Sequence, residues 1–311
     1  MSPNSQDLGQ IMSTDISPQP PSIIDDEIAP GQFEINMLLD EVLLEIFACY
    51  VEESEKRDAW RTLAWVCRRW RSIAFGSPRR LNLRIFCTDM KSFKKISMRK
   101  NLDLWPPFPI VLLTGCYKEL GADNVFATLE HHDRVSHIEI DISEDSLWEK
   151  VLPLMQKPFP MLTDLKLRYT DRYTMAEVVP DSFLGGSATR LQILRLECIS
   201  FPGLPKLLLS ATHLVHIELY NIPDSGYIAP EAMVTCLSTL TRLQFLSLWF
   251  DSPRLRHEWE RRRTSSFTRA LRLLPSLNCF TYKGVSEYLE DIVDAIDAPQ
   301  LSSFRDRKSV V

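Results

Sequence analysis

The first regular pattern of apolar residues has the spacing of one face of an α-helix and comprises Leu39, Val42, Leu43, Ile46 and Phe47. A polar stretch over residues 52–58 separates it from a second such pattern, which predicts one continuous helix over Trp60–Phe75. Gly76 and Pro78 would end that helix, since glycine suits a left-handed cap and proline cannot continue a helix. The two helices predict a compact unit too small to bury much of its own surface.

A second pattern, Leu-x-x-Leu-x-Leu with apolar substitutes, recurs through the rest of the chain. Its central positions, 138, 165, 194, 217, 246, 280 and 304, are 23 to 34 residues apart, near the period of about 20–29 residues of leucine-rich repeats. The copies are Val135-x-x-Ile138-x-Ile140, Leu162-x-x-Leu165-x-Leu167, Leu191-x-x-Leu194-x-Leu196, Leu214-x-x-Ile217-x-Leu219, Leu243-x-x-Leu246-x-Leu248 and the weaker Leu277-x-x-Phe280-x-Tyr282 and Leu301-x-x-Phe304. Earlier alternating runs at 81–85 and 110–112 predict lead-in strands.

These patterns predict an α/β protein: a helical module over residues 33–80, then an irregular leucine-rich-repeat-like solenoid with a parallel curved sheet over 81–311. A generic α/β protein with regularly spaced buried strands is the alternative. Tight spacing and the repeated signature favour the solenoid, whereas Asn221 is the only asparagine near the place where regular repeats carry one. Residues 1–32 are rich in Ser, Pro, Asp and Gln and are expected to be a disordered tail.

The repeat pattern also predicts which residues share a surface. Side chains alternate between the two faces of a sheet, so the residue between the last two leucines, and the one after them, should lie on the open face. The residues so placed are Glu139, Asp141, Lys166, Arg168, Arg195, Glu197, Glu218, Tyr220, Trp249 and Lys283. Mixed charges around exposed aromatics suit protein recognition. Alternatively, Trp249 packs beneath a loop from the long insertion between positions 246 and 280.

Charge is distributed unevenly along the chain, although the formal net charge is only −5. No Lys or Arg precedes Lys56, whereas basic residues dominate from Lys56 to Lys100. Such asymmetry can mark a polyanion-binding face. The alternative is a solvated helix face followed by a basic loop, which is favoured because the arginines interleave with an apolar helical stripe. A nucleic-acid partner is therefore not expected.

Composition and motifs indicate in which cellular compartment the chain is expected and which kinds of catalytic or metal site it lacks. Apolar residues make up 45% of the 311 residues, and the seven cysteines form no C-x-x-C pair, which fits the reducing cytosol or nucleus. No secretory signal or apolar run long enough for a membrane helix is seen. Neither a phosphate loop nor a G-x-S-x-G motif occurs, and His213-x-x-His216 lacks a third ligand. No enzyme activity, metal site or cofactor is predicted.

Three segments carry a resemblance to a known family: Leu38–Phe47, Ala59–Leu63 and Val66–Ala74. In this order they closely resemble an F-box. The continuation Phe75–Leu83, with the later Leu102–Pro106, resembles the large F-box-like family of mushroom-type fungi. One departure is Leu39, where an F-box typically has proline. Because proline preorganises the first turn of a helix, its loss is expected to weaken docking without abolishing it.

The resemblance implies a substrate-recognition adaptor of an SCF-type cullin–RING ubiquitin ligase. Its F-box would dock on the Skp-type linker, which connects it to the cullin, and the repeat region would hold an unknown protein substrate through Lys166, Arg168, Arg195, Glu197, Glu218, Tyr220, Trp249 and Lys283. Carried over by position, the linker-docking residues are Leu38, Val42, Leu43, Ile46, Leu63, Val66, Cys67 and Trp70. The same eight residues could instead pack against one another and the repeat region, and Leu63 and Trp70 fit either role.

Two other functions stay open. One is a protein-interaction scaffold that binds the linker without ligase function, including a decayed member of an expanded family. The other is a nucleic-acid or nuclear scaffold that uses the basic stretch over residues 56–100.

Overall fold

The chain begins, in the part that the structure describes, with three short helices. The computed structural model describes residues 35–54, 56–88, 98–115, 122–170, 178–250 and 272–307, so the predicted disordered tail over 1–32 lies outside it. A 3-10 turn at Ile35–Met37 leads into α1 (Asp40–Glu53), which is followed by α2 (Trp60–Val66) and α3 (Arg68–Gly76). Asp40 and Glu41 lie in the first turn of α1, where negative charge suits the helix dipole.

The continuous helix expected over Trp60–Phe75 is wrong, because the chain breaks at Cys67. The backbone of Cys67 is extended (φ −155°, ψ 173°), and its Sγ accepts a hydrogen bond from the Trp70 N–H at 3.4 Å. Arg71 Nε donates to the carbonyl of Ala64 at 2.8 Å. These bonds satisfy backbone groups that the break leaves without helical partners. The apolar stripe continues across the break, so periodicity alone does not reveal it.

A parallel sheet of nine strands follows, and its strand order is the order of the chain. Its strands are β1 (Ile85–Thr88), β2 (Ile110–Thr114), β3 (Val135–Ile142), β4 (Asp164–Tyr169), β5 (Ile193–Glu197), β6 (His216–Ile222), β7 (Phe245–Phe250), β9 (Cys279–Lys283) and β11 (Ser303–Asp306). β8 (Arg272–Leu273) and β10 (Ile296–Asp297) form a separate two-stranded sheet. The α/β class is therefore confirmed. Because the order never reverses, the large sheet lacks the switch-point crevice of doubly wound folds.

The apolar positions of the repeated pattern lie on one face of this sheet. Leu165 pairs in register with Leu194, and Leu194 with Ile217; all three are at most 1% exposed. Lys166 and Arg168 alternate with the buried leucines of β4 and point to the opposite face. This period of two divides the sheet into an apolar face and a polar face.

Helices cover the apolar face and complete a two-layer structure. They are α4 (Met98–Leu104), α5 (Ala122–Glu130), α6 (Asp145–Leu154), α7 (Leu204–Ser210), α8 (Pro230–Leu237) and α9 (Ser286–Ala295). Further 3-10 turns lie at Phe183–Gly186 and Asp224–Gly226. A single hydrophobic core runs from Leu43 in α1 to Ala295 in α9. Its burial supplies most of the driving force for folding.

Trp60 joins the helical module to the sheet. Its side chain is 1% exposed, and its Nε1 donates to the carbonyl of Arg84 at 3.0 Å. The indole meets Trp105 and Phe108 edge to face, with centroid distances of 5.0 and 5.5 Å, an arrangement that aromatic quadrupoles favour. The core therefore continues across residues 80 and 81, where the module was expected to end and the repeat region to begin.

Candidate functional site

The polar face of the sheet carries its charged side chains in rows that run across the strands. One row contains Glu139, Lys166, Arg195 and Glu218, which are in register from β3 to β6. The next contains Asp141, Arg168, Glu197 and Tyr220. Further along the sheet, Trp249 of β7 pairs with Lys283 of β9. All ten residues expected on the open face thus share one surface.

Ion pairs link neighbouring strands in the first half of this face. Lys166 Nζ lies 3.4 Å from Glu139 Oε2. Arg168 Nε lies 2.8 Å from Glu197 Oε2 and 3.9 Å from Asp141 Oδ1. A shallow depression is bordered by these five charged side chains together with Leu167 and Arg195. Each cation here therefore has a carboxylate partner on a neighbouring strand.

Glu218 is the most deeply buried of the predicted binding residues, at 4% exposed. Arg195 Nε forms an ion pair with its Oε2, and His216 Nε2 lies 2.6 Å from its Oε1. Burial raises the pKa of the Glu218 carboxyl, but the hydrogen bonds and charges of His216 and Arg195 outweigh it and lower the pKa to about 2. The prediction that Glu218 contacts a substrate is therefore corrected: its carboxylate is engaged internally and holds Arg195 in place.

Aromatic side chains occupy the second half of the face. Tyr220 meets Trp249 edge to face at 4.6 Å. Lys283 Nζ and the Arg307 guanidinium lie 6.0 and 5.0 Å from the centroid of the Trp249 ring, which is within cation–π range. Trp249 is half-buried beneath these neighbours. The alternative that it packs under the 246–280 insertion concerns residues 251–271, which lie outside the described residues.

The sequence pattern missed a third row of this face, two residues before the first one. His137 lies between two carboxylates: its Nε2 is 3.7 Å from Glu139 Oε2, and its Nδ1 is 3.8 Å from Asp164 Oδ1. The ring of His216 stacks on that of Phe245, with 4.3 Å between the ring centroids. Carrying the alternation two residues back along each strand would have found this row. It would not have found Arg307, because that residue follows the last and weakest copy of the pattern.

The helical module presents a second candidate surface. Four of its eight predicted docking residues face outward: Val42, Ile46 and Val66 are 42%, 43% and 55% exposed, and Cys67 is also exposed. Leu39, at 69%, extends the apolar surface at the start of α1. Val42 and Ile46 lie on α1, Leu39 caps it, and Val66 ends α2; exposed aliphatic side chains in one small module are typical of contact sites. We call Leu39, Val42, Ile46 and Val66 the module surface.

Two of the predicted docking residues are buried, which fits the alternative that they pack within the module. Leu43 is fully buried and Leu63 is 5% exposed, both in the core. Leu43 is one residue from Val42, so the turn of the helix carries it away from solvent and toward the other helices. A partner could not reach either leucine without opening the module, and both therefore stabilise the module.

The remaining two, Leu38 and Trp70, are half-buried against the core. The Trp70 ring lies 4.8 Å from that of Phe47, so it helps to hold α3 against α1. Trp70 therefore packs within the module, and its exposed part stays available to a partner, so both roles expected from the sequence remain open.

Four of the eleven described basic residues in the stretch over residues 56–100 form ion pairs with carboxylates. Arg69 binds Asp40 at 2.6 Å, Arg99 binds Glu130 at 2.8 Å, and Arg80 forms an ion pair with Glu45. Acidic residues of the module and of α5 thus neutralise several of its arginines. These four pairs give part of the stretch a structural role; residues 89–97 lie outside the described residues.

Chemistry of other kinds was sought in the part of the chain that the structure describes. That part holds no cluster of three or more His, Cys, Asp or Glu side chains arranged to bind a metal ion. His213, a partner in the His213-x-x-His216 spacing, bonds through Nδ1 to the carbonyl of Thr189 at 2.9 Å. None of the described helices is both long enough and apolar enough to cross a membrane.

No protein-family model matches the chain, and no curated protein matches it at a significant level.

Proposed function

We propose that this chain is an F-box-like substrate-recognition adaptor of an SCF-type cullin–RING ubiquitin ligase, acting in the cytosol or nucleus without a catalytic site of its own. The module surface would dock on the Skp-type linker, and the polar face of the sheet would hold the target protein. The F-box-like sequence of residues 38–74 carries the proposal. The structure supplies two separate surfaces, as an adaptor requires.

The strongest structural support is the two-sided character of α1. Leu43, Leu44 and Phe47 are buried in the core, whereas Val42 and Ile46 project from the opposite side of the same helix. An amphipathic helix whose inner face is already packed needs no exposed aliphatic residues for folding. Their exposure favours the helix-in-groove mode of recognition, in which a partner covers the outer face.

The sheet favours a leucine-rich-repeat-like solenoid for the target-binding part. Its strands are parallel and follow chain order, as stacked repeat units of one strand and one helical segment would produce. Solenoids of this kind present their strands as an extended binding surface. Here that surface carries mixed charges beside Tyr220 and Trp249, which suits a protein target.

The docking half of the proposal is tested by Val42→Asp combined with Ile46→Asp. An aspartate held in a partner's apolar groove is desolvated and unpaired, which costs several kcal/mol. The double variant should lose the linker in a quantitative pull-down with co-expressed Skp-type linker. Leu43→Asp is unsuitable for this purpose, because a charge at that buried position would unfold the module.

The matched control is Leu209→Asp combined with Val293→Asp. These residues lie in α7 and α9 and are each 46% exposed, close to the 42% and 43% of Val42 and Ile46. The control should bind the linker like the unmodified chain. Linker binding that survives in the Val42/Ile46 variant, or that disappears in both variants, would reject the module surface as the docking site.

Recovery of the cullin separates the ligase adaptor from the scaffold alternative. An adaptor should bring down linker and cullin together, in proportion to each other. Linker without cullin would instead support a protein-interaction scaffold without ligase function.

A further inference from the structure

The cations of the polar face fall into two groups that differ in their partners. In the first half, Lys166, Arg168 and Arg195 each form an ion pair with a carboxylate of a neighbouring strand. In the second half, Lys283, Arg305 and Arg307 have no carboxylate oxygen within 4.0 Å among the residues that the structure describes. Among the described residues, the cations of this face are thus ion-paired with carboxylates in the first half and not in the second.

The unmatched cations belong to the same surface. Arg305 is in register with Thr281, and the backbone N–H of Arg307 donates to the carbonyl of Tyr282 at 2.8 Å. Phe304, one residue before Arg305, faces the apolar side, where its ring lies 5.6 Å from that of Phe280. Asp306, between the two arginines, is in register with the buried Tyr282. Arg305 and Arg307 therefore extend the polar face beside Lys283, and both are exposed. We call Tyr220, Trp249, Lys283, Arg305 and Arg307 the cationic aromatic corner.

Trp249 organises this corner. Its ring lies 5.0 Å from the Arg307 guanidinium and 6.0 Å from Lys283 Nζ. A cation held over a ring keeps its N–H groups available, and a planar guanidinium can offer two of them to one carboxylate or phosphate. The Trp249 Nε1 atom is buried and has no hydrogen-bond partner within the described part of the chain.

We propose that the cationic aromatic corner binds an anionic side chain, a carboxylate or a phosphate, on an extended peptide of the target. The proposal rests on the proposed function, since it names the chemistry of the target that the sheet would hold. The cations supply charge complementarity, and Tyr220 and Trp249 offer apolar contact to the residues that flank the anion.

The rest of the face favours a peptide over a nucleic acid. Glu197 and Asp141 lie in the row that leads to Tyr220. A continuous phosphate backbone running across the sheet would meet these carboxylates and be repelled. A peptide needs an anionic group only at the corner, and its uncharged residues can cross the remaining strands.

The test is fluorescence anisotropy with the full chain and three labelled peptides of a Gly/Ser background. One carries a run of Glu, one a single phosphoserine, and one Gln in place of every Glu. At least one anionic peptide should bind about tenfold or more tightly than the Gln peptide, and added salt should weaken that binding. Comparison of the two anionic peptides distinguishes a carboxylate from a phosphate as the preferred group.

The deciding variant is Lys283→Gln combined with Arg307→Gln, which should lower the affinity for the anionic peptide about tenfold. Lys157→Gln combined with Lys206→Gln removes the same charge from exposed positions off the strands and should leave affinity unchanged. Arg305→Gln, at an exposed edge-strand residue, should weaken binding about threefold and provides a check that does not disturb Trp249.

Three results would overturn the proposal: equal binding of the Gln peptide, equal losses in the two double variants, or equally tight binding of a single-stranded oligonucleotide. None of these measurements contains the linker. Failure of the corner to bind anions is therefore distinguishable from failure of the adaptor function, which the linker pull-down measures.

Discussion

Arg69 of α3 binds the carboxylate of Asp40 in the first turn of α1, with 2.6 Å between Nη2 and Oδ1. The same guanidinium donates to the carbonyl of Leu38. Between these two partners lies Leu39, at the position where an F-box typically has proline. Arg69 therefore fixes from a second helix the turn that a proline ring would fix locally.

Leu39→Pro should stabilise this turn. The φ of Leu39 is −63°, close to the value of about −65° that proline imposes, and its N–H donates no hydrogen bond within the described residues. A proline that fits the native backbone typically adds about 0.4–1 kcal/mol by restricting the unfolded chain. Thermal unfolding should show a higher Tm for Leu39→Pro. Leu39→Ala, which also removes the leucine side chain but leaves φ free, should not raise it.

Leu43→Ala and Val42→Ala should separate stability from docking. Leu43 is fully buried, so its truncation should cost about 2–5 kcal/mol of unfolding free energy. Val42 is 42% exposed, and its truncation should change stability by about 0.5 kcal/mol or less while weakening linker binding. Denaturant titration and linker affinity, measured on both variants, check this. The opposite ranking in stability would contradict the orientation assigned to α1.

Glu218→Gln should reduce the loss of stability in acid. Burial raises the pKa of Glu218, but His216 and Arg195 lower it to about 2 from an ordinary 4.5. A carboxyl whose folded-state pKa is depressed contributes stability above its unfolded pKa and loses that contribution as pH falls through the folded value. The Tm difference between the unmodified chain and Glu218→Gln should therefore be largest near pH 6 and shrink between about pH 4.5 and 2.

Glu290→Gln is the control for that comparison, since Glu290 is exposed on α9, on the other side of the sheet. Its Tm difference from the unmodified chain should stay small throughout. A difference for Glu218→Gln that is constant with pH would mean that the Arg195–Glu218–His216 group does not form.

Trp249→Ala should weaken target capture and leave linker binding intact. Truncating a hot-spot aromatic typically costs about 2 kcal/mol, or roughly thirtyfold in affinity. Phe304→Ala removes a ring on the opposite face, where Phe304 is 47% exposed, and should leave capture unchanged. Arg195→Ala is a poorer probe, because it would leave the buried Glu218 carboxylate with His216 as its main partner.

The strands could be predicted from the sequence because each copy of the Leu-x-x-Leu-x-Leu pattern shows by itself which residues lie on the apolar face. Leu165 and Leu167 alternate with Lys166 whatever lies on the neighbouring strands, and a period of two is a strand signal within one short segment. Local patterns of this kind were sufficient to predict the parallel sheet and the residues on its open face.

Features that depend on other segments could not be predicted in this way. The break at Cys67 is accompanied by a bond from Arg71 of α3 to the carbonyl of Ala64 in α2, besides the local cap that Cys67 provides for Trp70. Glu218 is buried because Arg195 and His216 enclose its carboxylate, although the sequence pattern treats it like the exposed Arg168. Leu43 and Val42 are both apolar, and only the assembly of α1 with α2 and α3 decides which one meets solvent.

The chain-order sheet has a consequence for how the molecule can diversify. Within the large sheet, each inner strand lies between the preceding and the following strand of that sheet, so a duplicated or deleted strand-and-helix unit would meet the same kind of neighbour. Core residues of the other units would keep their neighbours and would not have to change. Each gain or loss would widen or narrow the polar face by one strand, about 4.8 Å, and shift the corner around Trp249 by that distance from the module. If the two proposed sites hold, related chains with more or fewer units would bind targets of different length, because the distance between the two sites would change.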